Sequence, residues 1–202
     1  VWKDPFLGKD SWEEAESELQ KEALDILLRK ACITEELIDC IFSGDLLSQS
    51  TASSYGLLSF GIPNYGIYGA CSNCGATLAL GAVLLSAGYA EKVVAMTSSH
   101  FGSAEKEFRF PLEYGGQRPP TSQWTVTGSG AYILEQGRGE WSILEAIPGK
   151  IVDRGVSNSS DMGSAMASAA IDTISAWIED TDALDDIDYI VTGDLGKIGY
   201  DL

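Results

Sequence analysis

Two cysteines, Cys71 and Cys74, lie at the start of the most apolar stretch of the chain. The short glycine-punctuated segment before Cys71 predicts a strand near Gly66–Ala70, and the charge-free residues after it predict a helix over Asn73–Ala87 that is buried on every side. At such a strand-to-helix turn, free N–H groups and the helix dipole favour a thiolate. Cys71 is therefore a candidate nucleophile with backbone donors for an oxyanion. The alternative is a small buried apolar side chain.

Cys74 lies one helical turn further on, and we expect it to pack in the core. With Cys71 it forms a C-x-x-C motif, which leaves open a thioredoxin-like redox pair or half of a metal site. We do not favour these two alternatives, because no second cysteine pair has ligand spacing and His100 is the only histidine.

The second chemically suggestive stretch begins where a β-branched strand predicted over Lys92–Met96 ends, at Thr97-Ser98-Ser99-His100. The following residues, Phe101–Thr125, have little regular pattern and contain several prolines and glycines. Loops of this length inside a compact domain are usually lids or binding loops. His100 is either part of such a site or a hydrogen-bonded core residue.

The composition excludes some classes of partner. The 202 residues include 13 basic and 30 acidic side chains, which give a net charge of −17. Such a charge argues against binding nucleic acid or docking directly on an anionic membrane. The four cysteines are scattered and form no disulfide framework, so a reducing cytoplasm is expected. No signal peptide or transmembrane segment is predicted.

The elements that must position these residues alternate between helices and strands. Trp12–Ala31 predicts an amphipathic helix with a capping box at Ser11 and Glu14, and places Glu16 on its solvent face. The other predicted elements are a strand at Asp39–Ser43, a helix within Ser48–Phe60, strands at Val126–Leu134, Trp141–Ala146 and Ile187–Thr192, and a helix at Met162–Trp177 capped by Asp161. This alternation favours parallel sheets with right-handed crossovers.

An internal repeat links the two ends of the chain. The segment Ile38–Leu46 recurs as Ile187–Leu195, 149 residues later, and each copy follows a long helix. The repeat predicts two similar halves, which we place at residues 1–140 and 141–202, with the second half truncated. In each copy a Gly-Asp pair is expected to end a strand in a turn rather than to bind a ligand. We expect the chain to be a fragment of a longer protein.

Several motifs resemble one known family. They are Ser43-Gly44-Asp45-Leu46-Leu47, Tyr68-Gly69-Ala70-Cys71-Ser72, Thr97-Ser98-Ser99-His100, Phe108-Arg109-Phe110-Pro111, Glu113-Tyr114-Gly115-Gly116-Gln117, Thr125-Val126-Thr127-Gly128-Ser129-Gly130-Ala131 and Asp161-Met162-Gly163-Ser164-Ala165-Met166. With the duplicated α/β pattern, they make the chain similar to the stage V sporulation protein AD family of endospore-forming bacteria, within the thiolase-like superfamily. The similarity extends from Ser11 over nearly the whole chain.

The resemblance implies a layered α-β-α-β-α fold and a homodimer in which the strand at Gly66–Gly69 pairs across the twofold axis. It implies a sporulation protein that binds dipicolinic acid (pyridine-2,6-dicarboxylate) and supports its uptake into the developing spore. The expected partners are other stage V sporulation proteins of the same operon. The expected location is the cytoplasmic side of the forespore inner membrane, as a peripheral protein. No cofactor is implied, although calcium is expected to be able to accompany dipicolinate; no metal site is assigned.

Dipicolinate is a planar dianion, so the acidic chain must supply a local cluster of donors. Phe101–Thr121 is close to neutral, and arginine forks match carboxylates in bidentate geometry. Arg109 has the alternative of pairing with a neighbouring glutamate. The expected ligand-binding residues, with Cys71 and His100 in one pocket, are Cys71, Ser72, Asn73, Ser99, His100, Arg109, Tyr114, Gln117 and Arg118. Superfamily members also include condensing acyltransferases, so an alternative function is a Cys-dependent acyltransferase in which Cys71 is catalytic.

Overall fold

The structure is a computed structural model that describes residues 3–109, 118–137 and 139–202. It consists of two compact units, one made of residues 1–105 and 126–145 and the other of residues 106–125 and 146–202. Each unit is described by itself. The division into halves at residues 1–140 and 141–202 stays a prediction.

The first unit is built on a four-stranded sheet. Its strands are β1 (Cys40–Gly44), β2 (Asn64–Ile67), β3 (Lys92–Ser99) and β4 (Gly128–Glu135), in the order β2-β1-β3-β4. β1 is parallel to β2 and β3, as predicted, whereas β4 is antiparallel to β3. β2 ends at Ile67 rather than at Ala70, because Ala70–Ser72 form a 3₁₀ turn.

Three helices pack on this sheet: α1 (Trp12–Ala31), α2 (Thr51–Leu57) and α3 (Asn73–Ser86). Alternating strand residues point to opposite faces, so two cores form. Ile41 and Val94 pack with Leu24 of α1, whereas Phe42 packs with Leu85 of α3. The predicted bounds of α1 are confirmed, and the Ser11 hydroxyl accepts a hydrogen bond from the Glu14 N–H at 3.2 Å.

Helix α3 has the predicted position but not the predicted burial. Its buried residues lie four positions apart on one face, namely Asn73, Thr77, Gly81 and Leu85. On the other face Leu80 is 42% exposed and Val83 is 61% exposed. Complete burial was a wrong expectation, because a helix without charges shows no polar face from which a one-sided contact can be deduced.

The second unit contains α4 (Met162–Thr181) and α5 (Gly196–Asp201). The predicted cap of α4 is confirmed, since the Asp161 carboxylate accepts from the Ser164 N–H at 3.2 Å. The two helices pack closely through glycine, because a Cβ added at Gly163 would lie 1.9 Å from the Leu195 carbonyl oxygen.

Two predicted strands are wrong. Neither Trp141–Ala146 nor Ile187–Thr192 is a strand in the structure. Tyr189 and Val191 are 87% and 89% exposed. A strand needs a hydrogen-bonded neighbour, and no described strand pairs with either segment.

The internal repeat is visible in the local structure that precedes it. Both α1 and α4 have 20 residues, and both end at a left-handed residue, Cys32 or Asp182. A 3₁₀ turn then follows each helix, at Glu35–Leu37 and Leu184–Asp186. The repeated aspartates share a turn as well: Asp45 Oδ1 accepts from the Leu47 N–H at 2.8 Å, and Asp194 Oδ1 accepts from the Gly196 N–H at 2.9 Å.

Candidate functional site

Cys71 lies in the tight turn that joins β2 to α3, where the sequence placed it. The residue is exposed, and Ala70 before it has a left-handed φ of 50°. Asn73 fixes the turn from behind: its Oδ1 accepts from the Gly69 N–H at 2.7 Å, and its Nδ2 donates to the Asp45 carbonyl at 2.9 Å. The Ser72 hydroxyl donates to the Gly69 carbonyl at 2.6 Å. The side chains of Ser72 and Asn73 therefore hold the backbone around Cys71.

The electrostatics of this turn differ from the prediction. Desolvation by the surrounding protein raises the pKa of the Cys71 thiol, and a contact with its own backbone N–H opposes that effect only in part. The expectation of a lowered pKa for this thiol was therefore wrong, because loss of water raises the pKa more than the contact with the backbone N–H lowers it. Cys74 was expected in the core and is exposed.

The strained backbone before Cys71 gives a testable stability effect. An alanine in the left-handed region costs about 1–2 kcal/mol, whereas glycine adopts it freely at some cost in unfolded-state entropy. We expect Ala70→Gly to raise the free energy of unfolding by roughly 0.5–1 kcal/mol. Ala76→Gly, inside α3, is the matched control and should lower it by about 1 kcal/mol. Urea denaturation of both variants measures the difference, and a destabilised Ala70→Gly variant would contradict the assignment of strain.

A buried polar network lies behind the site in the first unit. Asp45 Oδ2 accepts from the N–H and the hydroxyl of Ser53, at 2.8 and 2.6 Å. Gln20 Nε2 lies 2.8 Å from the Ser53 hydroxyl and 2.9 Å from that of Ser98. The Ser98 hydroxyl donates onward to Glu16 at 2.9 Å. Hydrogen bonds thus connect α1 with the ends of β1 and β3.

Glu16 is the residue that sequence analysis placed least well. It was assigned to the solvent face of α1 but is fully buried, where the Ser103 hydroxyl also donates to it at 2.6 Å. Burial raises the pKa of the Glu16 carboxyl, and the Ser103 and Ser98 hydroxyls oppose the shift. The spacing Trp12, Glu16, Gln20, Leu24 at every fourth residue is the signal that would have placed Glu16 on the buried face.

Replacing Glu16 tests this burial through the pH dependence of stability. Because the folded-state pKa lies above the ordinary value of 4.5, the stabilising contribution is complete below that value and is lost as the pH rises through the folded-state pKa. Glu16→Gln should flatten this fall in melting temperature between acidic and neutral pH. Glutamine fits the site, since the Ser103 hydroxyl can accept from the amide and donate to the His100 carbonyl, 2.9 Å away. Glu13→Gln, a surface change on the same helix, removes the same charge and should leave the slope as it is; an unchanged slope in Glu16→Gln would contradict the prediction.

His100 is a core residue in the structure. Its ring is fully buried; Nδ1 accepts from the Gly102 N–H at 3.1 Å and Nε2 lies 2.8 Å from the Pro5 carbonyl. This pattern places the proton on Nε2. Both ring nitrogens have backbone partners, and the ring centroid lies 5.2 Å from that of Trp12. The expectation that His100 lines a pocket with Cys71 was therefore wrong. The Ser99 hydroxyl likewise donates to the Val126 carbonyl.

The predicted arginines belong to the second unit. Arg118 Nη2 donates to the Gln123 carbonyl at 3.0 Å, and its guanidinium carbon lies 3.4 Å from the ring centroid of Trp124. Arg109 is partly buried and also has an interaction partner. Tyr114 and Gln117 lie outside the described residues. Trp124 is 68% exposed. Sequence analysis did not identify it as a site residue, because nothing in the sequence of a loop shows that its ring contacts Arg118.

The described residues contain neither a cluster of metal-binding side chains nor a helix that could span a membrane. Among residues 3–109, 118–137 and 139–202, no three or more His, Cys, Asp or Glu side chains are grouped so as to hold a metal ion. Within the same ranges, no helix combines the length and apolar character needed to cross a bilayer.

Comparison with known proteins decides the family. The family model for stage V sporulation protein AD (SpoVAD) matches residues 1–202. The chain is also 44% identical over 193 residues to stage V sporulation protein AD of Bacillus subtilis (strain 168). This chain belongs to the stage V sporulation protein AD family. The alignment covers 95% of the chain but 57% of that protein's length, and membership supports a role in sporulation.

Solved structures confirm the fold class. The tetronic acid condensing enzyme AbyA1 aligns with a TM-score of 0.51 and 20% identity, over 69% of this chain and 43% of that enzyme. The β-ketoacyl-[acyl carrier protein] synthase III of Thermus thermophilus aligns with a TM-score of 0.45 and 23% identity, over 62% of this chain and 38% of that enzyme. The similarity to AbyA1 supports a thiolase-like α/β fold for this chain. At this identity the similarity concerns the fold and not the reaction.

Proposed function

We propose that this protein binds dipicolinate and supports its uptake into the developing spore. Family membership supports the sporulation role. The observation that supports the ligand assignment is Arg118, whose guanidinium carbon lies 3.4 Å from the ring centroid of Trp124 while Nη2 donates to the Gln123 carbonyl. The planar fork of an arginine matches the geometry of a carboxylate, and the contact with the indole reduces the side-chain freedom lost on binding.

Charge explains why such a residue is needed. The chain carries a net charge of −17, which repels a dianion at long range. A carboxylate is then bound only where fixed donors are close, and a charge-assisted bidentate pair is the strongest such contact. Arg109 and Arg118 belong to the same unit and are the charged donors of the proposal. Cys71, Ser72 and Asn73, with the remaining predicted ligand residues, stay predictions.

Calorimetric titration of dipicolinate tests the proposal directly. Benzene-1,3-dicarboxylate is the matched ligand, because it has the same two carboxylates and lacks the ring nitrogen. Saturable binding of dipicolinate that is tighter than that of the control supports the proposal. Absence of binding by the full-length protein at millimolar ligand would overturn it.

Assembly and location complete the proposal. A homodimer would use the exposed edge of β2, where Tyr65 is exposed and the outer side of the strand has no described neighbour. Unpaired strand edges are templates for pairing with another chain. Partners from the same operon, a peripheral position at the forespore membrane and calcium accompanying dipicolinate belong to the same proposal. Light scattering of the purified protein tests the dimer.

A second candidate function is Cys-dependent acyl transfer. The observation that favours it is the position of Cys71, exposed at a strained turn before α3. The raised pKa of the thiol works against it, because the thiolate is the nucleophile. Incubation with acetyl-CoA and with malonyl-CoA followed by mass spectrometry distinguishes the two: an acyl group on Cys71, absent from Cys71→Ser, supports acyl transfer.

A further inference from the structure

The turn before α3 carries two thiols, Cys71 and Cys74. The proposed binding of dipicolinate requires no reaction between them. Cys71 lies in the 3₁₀ turn Ala70–Ser72, and Cys74 lies in the first turn of α3. Both thiols are free and exposed. The other cysteines have no such neighbour: Cys40 is buried in β1, and Cys32 ends α1 with its thiol directed at the Arg29 carbonyl, 3.7 Å away.

The local backbone fits a disulfide between the two. A helix with a Cα radius of about 2.3 Å and a rise of about 1.5 Å per residue places Cα atoms three residues apart about 5 Å from each other, which is within the range of about 4.4–6.8 Å that a disulfide requires. The two residues between the cysteines, Ser72 and Asn73, both have right-handed helical backbone angles. Asn73 and Ser72 hold this backbone independently of the thiols. Because residues on one helical turn hold their Cβ atoms about 5–6 Å apart and a disulfide brings them to about 3.5–4.5 Å, bond formation requires a local backbone shift of about 1 Å as well as side-chain rotation.

The surroundings favour neutral sulfur. Helix α3 contains no charged residue over its 14 positions, and desolvation raises the pKa of the Cys71 thiol. This shift disfavours a thiolate at Cys71, whereas a disulfide is uncharged and loses little by desolvation. The uncharged oxidised form is thus compatible with this turn.

We propose that Cys71 and Cys74 form a reversible intramolecular disulfide by exchange with a small-molecule disulfide. One protein thiol loses its proton and attacks the small disulfide, which gives a mixed disulfide and one small thiolate that takes up a proton. The second protein thiol, after losing its proton, attacks the mixed disulfide and releases the second small thiol. The protein loses two electrons and two protons, and the small disulfide becomes two thiols. The oxidised form has no Cys71 thiol, so any chemistry or binding that needs this thiol stops until reduction.

The test uses the full chain with oxidised glutathione as the probe, followed by alkylation and peptide mass mapping. The expected product is a peptide linked between Cys71 and Cys74, two hydrogens lighter than the reduced form and restored by excess reduced glutathione. Cys32→Ser should give the same product, whereas Cys74→Ser should stop at a glutathione adduct on Cys71. Separate adducts on Cys71 and Cys74 in the unsubstituted protein, or no reaction at either residue while Cys32 reacts, would overturn the proposal. Dipicolinate is absent from this assay, so its result is independent of the proposed ligand.

Discussion

Replacing Arg118 by alanine is expected to weaken dipicolinate binding roughly ten- to a hundredfold, since a hydrogen bond to a charged group contributes about 1.5–3 kcal/mol. Arg118→Lys should recover only part of the affinity, because lysine keeps the charge but loses the planar fork and the contact with Trp124. Calorimetric titration measures the three affinities.

Controls separate a lost contact from a lost charge. Arg154→Ala removes the same charge from an exposed position of the same unit and should change the affinity by less than about twofold. Trp124→Ala should weaken dipicolinate binding, but less than Arg118→Ala does. Trp124→Phe keeps an aromatic surface and should weaken binding less than Trp124→Ala. Equal affinities of Arg118→Ala and Arg154→Ala would remove Arg118 from the site.

Replacing Asp45 by alanine is expected to lower the free energy of unfolding of the first unit by about 3–4 kcal/mol, because two buried donors of Ser53 and the half-buried N–H of Leu47 lose their carboxylate acceptor. The internal repeat supplies the control. Asp194 occupies the same repeat position, but it is exposed, and among the described residues it accepts from the Gly196 and Trp124 N–H groups. Asp194→Ala should cost about 1 kcal/mol.

Hydrogen exchange of the native protein measures this pair of variants best, because the chain has two units and a single unfolding transition is not guaranteed. Amides of β1 and β3 report on the first unit, and amides of α4 report on the second. In Asp45→Ala, faster exchange should be confined to the first unit. Equal costs for the two substitutions would show that the buried network does not stabilise the end of β1.

The sequence was sufficient to predict an element where several local signals agree with each other. The limits of α1 followed from a capping serine and a regular apolar spacing, and the turn at Cys71 followed from glycine punctuation before an apolar run. The face of α3 could not be predicted, because a helix without charges has no marked polar side. Glu16 was assigned to the wrong face of α1 because its charge was given more weight than its position in the sequence. It lies four residues after Trp12 and eight residues before Leu24, on the same face of the helix.

The site was predictable only in its local parts. Cys71, Ser72 and Asn73 are neighbours in sequence, so their shared turn could be deduced. The contact of Arg118 with Trp124 and the enclosure of His100 by the backbone near Pro5 depend on how loops return to the fold, which no periodicity describes. The strand expected at Ile187–Thr192 had the right composition, but its ladder requires a neighbouring strand that composition cannot supply.

The order in which the chain leaves the ribosome matters for the first unit. Its last strand, β4, pairs with β3 but is encoded after residues 106–125, which belong to the other unit. At about 5–20 residues per second, translation from the end of β3 to the start of β4 takes roughly one and a half to six seconds. During that interval one edge of β3 has no partner strand, and such an edge promotes association between nascent chains. The discontinuous first unit therefore leaves an edge of β3 unpaired for longer during synthesis than a unit formed by one continuous segment would.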